Sequence, residues 1–223
     1  MMQYSVVIPA YNAAHTIVES LESVLNQTVT PAQIVVVDDG SSDDTVAVAR
    51  ALSPLITVIS QDNQGCGKAS SVGISHSTQR LVATLDADDI WLPTKMEKQI
   101  VAMRANAEIS LIFTKQRQFL HGEPDRGSGE VRDGLNRSSI VFYRTLFDEI
   151  GDIIDPPGNR GDLVDWLARA REAGHKFQVL DEVLSLRRII PGSLSYGRDR
   201  SKDRGYLDVA RRAMQRRKAR ENS

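Results

Sequence analysis

A single cysteine, Cys66, stands among the 223 residues, so no internal disulfide can close the chain on itself. Long apolar runs are missing too. Nothing reaches bilayer-spanning length, and Met1 to Pro9 has neither the basic start nor the apolar stretch of a secretory leader. Together these absences lead to the expectation of a reducing, cytoplasmic setting. The glycine signatures of common nucleotide folds are also absent. After its first apolar run the chain reads Pro9-Ala10-Tyr11-Asn12, where a dinucleotide-binding fold needs a glycine turn. A phosphate-binding P-loop fails as well, since Gly67-Lys68 is followed by Ala69, and Asp62 occupies the place of its first glycine. Cys66 has no histidine close by in sequence, which leaves it a small side chain in a glycine-rich loop rather than a nucleophile.

What is present is the composition of an ordinary soluble domain, 41% hydrophobic and 26% charged, at a length that suits one α/β unit. Tyr4 to Ile8 reads as a β-branched strand stopped by Pro9. Ile17, Leu21, Val24 and Leu25 then recur at helical spacing from Thr16 to Asn26, with Thr16 and Glu19 as a capping box. Ile34 to Val37 is a second strand, followed by Asp38-Asp39-Gly40-Ser41-Ser42 and a helix from Asp43 to Leu52 capped by Ser42. Ile56 to Ile59 leads into the polar loop Gln61 to Lys68 and a helix from Ala69 to Ser77. A fourth strand, Leu81 to Leu85, completes a βαβαβαβ alternation, which predicts a mainly parallel, Rossmann-like central sheet flanked by helices.

That fourth strand ends in Asp86-Ala87-Asp88-Asp89. Its apolar run suits a strand buried on both faces, and open α/β sheets bind ligands just beyond such C-terminal ends. Asp86 and Asp88 offer hard oxygen ligands for Mg²⁺ or Mn²⁺ gripping a diphosphate. A solvated acidic loop is the alternative, with Asp89 capping the helix that runs from Pro93 to Asn106 on a stripe of Met96, Ile100 and Met103. On these residues alone both readings stand.

Beyond it, Ile109 to Phe113 reads as a strand and residues 114–137 as a polar, glycine-rich loop or hairpin, a lid or acceptor-recognition element. Ser138 to Tyr143 is a strand and Arg144 to Ile150 a short helix. Gly158 to Asp162 is a turn-rich approach to a helix from Leu163 to Ala173, ended by Gly174, for which Asp162 is the natural N-cap. Phe177 to Leu180 and Val183 to Leu186 are strands, and a basic helix covers Lys202 to Arg220. Residues 198–223 carry +6 against −7 for the rest, so the tail has a role of its own: a solvated helix, or contact with diphosphate, an anionic acceptor or a membrane surface.

The motifs resemble those of family 2 glycosyltransferases of the GT-A fold. The likeness is carried by Val6-Val7-Ile8-Pro9-Ala10-Tyr11-Asn12, by Val36 to Thr45, by Asn63-Gln64-Gly65 and by Leu85 to Asp89, and it loosens from Ser138 to Ile190. The resemblance implies one GT-A domain, with 1–110 the nucleotide-sugar-binding half, 111–190 the acceptor-binding half and 191–223 a basic helical tail. Pro9, Ala10, Tyr11 and Asn12 would line the nucleotide and Asp39 would hydrogen-bond its base, with uracil the commonest. Asn63, Gly65, Lys68 and Ala87 belong to the same donor-binding loops. Asp86 would face the ribose or sugar, and Asp88 would bind the Mn²⁺ or Mg²⁺ that bridges the phosphates. Gly161 to Trp166 looks like the family's acidic acceptor-side motif, with Asp162 as general base.

The implied activity is inverting transfer of a sugar from a nucleotide-diphosphate donor, UDP favoured, to a hydroxyl of a saccharide, lipid-linked or small-molecule acceptor. No nucleic acid is among the expected partners. Three positions depart from the family pattern. An Ala-Arg-Asn triplet is replaced by Ala69-Ser70-Ser71, the usual Glu before the base is Gly161, and a metal-ligating histidine after the basic pair Arg187-Arg188 is replaced by Ile190. Two rival readings follow: a nucleotidyltransferase, which would need a glycine-rich basic loop after the first strand, and a catalytically impaired sugar-nucleotide-binding module that regulates or scaffolds.

Overall fold

A computed structural model describes residues 2–156, 161–191 and 204–221. The chain opens with β1 (Tyr4–Ala10), α1 (Ile17–Leu25), β2 (Gln33–Asp38), α2 (Thr45–Leu52), β3 (Ile56–Ser60), α3 (Cys66–Ser75) and β4 (Leu81–Thr84). It continues through β5 (Ile90–Trp91), α4 (Lys95–Ala105), β6 (Ile109–Leu120), β7 (Val131–Asp133), a 3₁₀ turn at Arg137–Ser139, β8 (Val141–Tyr143) and α5 (Arg144–Ile150). The last elements are α6 (Asp162–Glu172), β9 (Lys176–Ile189) and α7 (Arg204–Glu221). The nine strands form one sheet in the order β3-β2-β1-β4-β8-β6-β9-β5, with β7 on β6.

The first four strands are parallel, as the alternation predicts, and β1 lies between β2 and β4. Val6 and Ile8 join one core with Ile17, Leu21, Met96 and Ile100, while Val7 joins another with Phe147, Leu163 and Trp166. Successive residues of a strand face opposite sides, so the β-branched run of β1 fills both layers. β1 does not stop at Pro9 but continues to Ala10, paired with Asp38. The β1–β4 ladder ends at Val7↔Thr84. Val7 already turns its carbonyl to Leu85, so Pro9, two residues on, directs its missing N–H to a flank with no ladder left to break.

The second half differs more from expectation. Of residues 114–137, the first part continues β6, and Lys115 to Arg117 pair with β7 as a hairpin. β6 has a parallel partner along its length, from Ile109↔Lys176 to Leu120↔Ile189. The two short strands expected over 177–186 are parts of this one β9, with register shifts near Thr114 and Lys115. Pairing with a distant strand overrides a polar, glycine-rich local composition. Helix starts also move. Thr16 makes no side-chain cap bond, and Asp43 rather than Ser42 accepts the Thr45 amide at 3.0 Å. α3 begins at Cys66, which is exposed, and α4 begins at Lys95.

α7 packs on α6. Arg216 donates to Asp165 at 3.0 Å and to Glu172 at 2.8 Å, compensating an Asp165 that is 1% exposed. Leu207 and Met214 face outward. The approach turn at 158–160 and residues 198–203 of the tail lie outside the described residues. Among those described, no helix is long and apolar enough to cross a membrane.

Trp166 ties α6 to the sheet. Its ring is fully buried 5.3 Å from Phe142, and its indole N–H donates to Gly151 O at 2.9 Å. Trp166→Ala is expected to cost about 3–5 kcal/mol in urea unfolding, because it removes a large buried side chain and orphans that carbonyl.

Candidate active site

β1, β2 and β3 end level at Ala10, Asp38 and Ser60, while β4 stops at Thr84 opposite Val7; the loops that follow lie at the same edge of the sheet, and side chains knit those after the first three together. Asn12 has φ 49°, the one positive value outside glycine among the described residues, in a region that Asn tolerates. Its N–H donates to Ser41 Oγ at 2.9 Å, and its Oδ1 accepts from Ser42 N at 2.8 Å. Tyr11 stands beside it, 55% exposed, at the end of Pro9 and Ala10. Asp39, which is buried, accepts from Gln61 Nε2 at 2.7 Å and from the amides of Gln64 and Gly65, both at 2.9 Å. That carboxylate therefore shapes the third loop, which carries exposed Asn63 and turns at Gly65 (φ 99°) into α3. Lys68 points elsewhere: its ammonium pairs with Asp152 at 3.1 Å.

Residues after β4 carry the densest charge. Ala87 is fixed by Ser20 Oγ, which donates to its carbonyl at 3.0 Å. Burial and then the charge of Asp86 push the Asp88 carboxyl up to about 6. Asp89 is not a helix cap. It is 3% exposed and accepts from Ser138 Oγ at 2.5 Å, Arg188 N at 2.9 Å and Gln116 Nε2 at 3.3 Å. Burial, with the Asp88 and Asp86 charges added, pushes its carboxyl well above the ordinary range. Local pattern allowed a cap, but β9, the 3₁₀ turn and β6 each bring a donor to Asp89 instead. Arg188 also donates from Nε to the Asp88 carbonyl at 2.8 Å and pairs with Glu19.

Asp162 opens α6 one residue later than an N-cap. Gly161, at φ 97°, takes the cap position, and the Asp162 carboxylate, 10% exposed, pairs with the Arg137 guanidinium. Nη1 of the same guanidinium lies 3.9 Å from Asp86 Oδ1, and its Nε donates to Ser70 Oγ at 3.0 Å. Sequence reasoning missed Arg137, which sits at the end of a polar stretch with no periodicity to single it out. It missed Asp155 too. That carboxylate accepts the Gly67 and Lys68 amides at 2.9 and 2.8 Å, capping α3 from another part of the chain. Ser71 helps hold it there, accepting the Ile153 amide at 2.9 Å. Two of the departures from the family triplet thus have partners of their own.

Among the described residues no three His, Cys, Asp or Glu side chains gather into a metal cage. The donors present suit Mg²⁺ or Mn²⁺, which bind through one or two carboxylates and take their other ligands from phosphates and water. Burial first and the Asp86 charge second hold the Asp88 carboxyl high, and a bound cation would offset the second of these.

Asp88 also makes a stability prediction. Between its ordinary value of 3.8 and about 6 the folded chain holds a proton that the unfolded chain releases, so stability falls as pH rises through that window. Asp88→Asn removes the penalty. Metal-free variant is expected to resist urea better than the parent at mildly alkaline pH, by at most about 3 kcal/mol, and the gap should close in acid. Urea midpoints across pH check this.

Comparison with known proteins follows the same outline. The chondroitin synthase of Escherichia coli is 33% identical over 135 residues, which is 59% of this chain and 19% of that protein. The chain therefore spans about a fifth of that relative's length. Staphylococcus aureus TarS 1-349, solved in complex with UDP-GlcNAc, superposes with a TM-score of 0.68 at 21% identity, covering 88% of this chain and 62% of that one. A mannosyltransferase from Pyrobaculum calidifontis, solved with GDP-Man and Mn²⁺, gives 0.66 at 18% identity, covering 86% and 58%. These likenesses establish a GT-A fold. The pattern described as Glycosyl transferase family 2 matches residues 5–156, more than half of the chain. The chain belongs to glycosyl transferase family 2.

Proposed function

We propose that this chain transfers a sugar from a nucleotide-diphosphate donor to an acceptor hydroxyl, with inversion at the anomeric carbon. The observation that carries the reading is the meeting of two sets of carboxylates, Asp86 and Asp88 at the end of β4 and Asp162 at the start of α6, joined through Arg137. The loops bearing Pro9, Ala10, Tyr11, Asn12, Asp39, Asn63 and Gly65 form the nucleotide side, and Asp39, besides ordering the third loop, accepts a hydrogen bond from the base. Asp86 faces the ribose or sugar. Asp88 would hold Mn²⁺ or Mg²⁺, which when bound would neutralise the charge that grows on the departing diphosphate. Asp162 orients the acceptor hydroxyl and takes its proton. A single base opposite the leaving group gives one displacement and hence inversion. UDP is the favoured nucleotide, in line with the TarS complex. Lys68 reaches the phosphates only by leaving Asp152.

One observation favours a second reading. Ile190 stands where the family has a metal-ligating histidine, and this suits a module that binds the donor without turning it over. The tail adds a surface of its own: Leu207 and Met214 are 69% and 59% exposed, with exposed Arg217 and Lys218 on the same helix. This arrangement suits an anionic membrane surface. Cosedimentation with phosphatidylglycerol vesicles but not phosphatidylcholine vesicles is expected, and Leu207→Glu with Met214→Glu should abolish it.

Calorimetry with UDP, GDP, CDP and dTDP, with and without Mn²⁺, tests the main reading. UDP is expected to bind with strong metal dependence. Asp88→Asn should remove that dependence, whereas Asp162→Asn should bind UDP normally and lower turnover by about 10²- to 10⁴-fold. Normal turnover in the Asp162 variant sinks the base assignment, and binding without turnover in the parent favours the second reading.

A further inference from the structure

Arg137 is a side chain that the mechanism above leaves without a task. Its guanidinium is 12% exposed and touches three elements: Ser70 on α3, Asp86 after β4 and Asp162 on α6. Ser70 is the second position of the triplet that departs from the family pattern, where an arginine is usual. A cation delivered from the 3₁₀ turn therefore stands against the place from which the sequence has lost one.

The backbone that delivers it is pinned at every residue of the turn. The Arg137 carbonyl accepts from Thr84 Oγ1 at 2.8 Å, the Ser138 carbonyl from Trp91 Nε1 at 2.6 Å, and the Ser139 carbonyl from Gln99 Nε2 at 2.8 Å. Gln99 is held in turn by Lys95, whose buried ammonium donates to Gln99 Oε1 at 2.8 Å and lies 3.9 Å from the Trp91 ring centroid. Asn136 caps the turn by accepting the Ser138 amide at 3.1 Å. Three side chains from β4, β5 and α4 thus fix a turn where sequence alone ends a loop at Arg137 and starts a strand at Ser138; the strand begins only at Val141. A turn held so closely serves a side chain whose position matters.

We infer that Arg137 is a positioning residue: its planar guanidinium holds the Asp162 carboxylate in register with Asp86, setting the acceptor-side base against the donor's sugar. The inference rests on the proposed transfer reaction and adds to it a residue outside the donor and metal ligands. The fork geometry of a guanidinium orients a carboxylate as a point charge does not. Two partners on Asp86 and Asp162 also span the boundary between donor and acceptor sides, so a displacement of the base by even about an ångström is expected to be costly.

The test uses the chain with Mn²⁺ and the sugar nucleotide whose diphosphate it binds, measuring at saturating donor the nucleoside diphosphate released as the sugar passes to acceptor or water. Arg137→Ala is expected to lower turnover about 10²-fold while nucleotide affinity changes by less than about threefold. Free guanidinium ion should restore part of that loss in Arg137→Ala and none in Asp162→Asn. Turnover within about threefold of the parent overturns the inference. Loss of nucleotide affinity in proportion to turnover also overturns it, since Arg137 is then a donor ligand. If Arg137→Ala does not fold, Arg137→Lys decides: impaired turnover with intact binding upholds the role, and parental turnover removes it. A parent that binds no nucleotide, or binds one and releases nothing, fails on the transfer reaction itself and takes this inference with it.

Discussion

Asp86, Asp88 and Asp89 crowd like charge at one strand end, and much of the surrounding structure is arranged to hold that charge in place. Burial and the neighbouring charges hold the Asp88 and Asp89 carboxyls above their ordinary range. The fold answers with donors rather than with bulk solvent. Arg188 comes from β9, Ser138 from the 3₁₀ turn, Gln116 from β6, and Arg137 stands next to Asp86. Each of these donors lies far along the chain from the carboxylate it serves, so the acidic edge is tolerable only in the completed tertiary structure. In the proposed reaction that edge is where a metal–diphosphate pair would sit, its charge opposite to that of the carboxylates.

The loops proposed to receive the nucleotide are held together without such crowding of charge. Its loops are joined by neutral or charge-assisted hydrogen bonds among Asn12, Ser41, Ser42, Asp39 and the backbone of Gln64 and Gly65. A bond of this kind contributes about 1 kcal/mol, somewhat more when a carboxylate accepts it. Several in series pre-order loops that would otherwise lose entropy on meeting a ligand. The two sides are linked through α3, which follows Gly65, is capped by Asp155 and presents Ser70 to Arg137.

The parallel half of the fold was legible because its signal is local. Val6 to Ile8, Ile34 to Val37 and Leu81 to Thr84 are continuous apolar runs separated by amphipathic helices, and only one arrangement buries both faces of each. The second half was not. The extent of β6 depends on β9, which lies more than fifty residues later, and the polar residues Lys115 to Gln118 carry no strand period of their own. Short-range capping rules misled at Thr16, Ser42 and Asp89. A side chain that could cap a helix is free to do something else once a nearer or better donor arrives, as Ser138 and Arg188 do for Asp89.

The amino-acid sequence by itself determined the order of elements in the parallel half, the family, and the edge at which Pro9 to Asn12, Asp39 and Asp86 to Asp88 gather, since strand ends follow from hydrophobic period. Only the tertiary structure decided which groups face one another across that edge. It brought Asp162 to Arg137, Arg137 to Asp86, Asp155 to the start of α3 and Arg216 to Asp165. Those contacts depend on pairing between distant strands and on the demand that a buried charge find a partner, and neither is written in the spacing of residues along the chain.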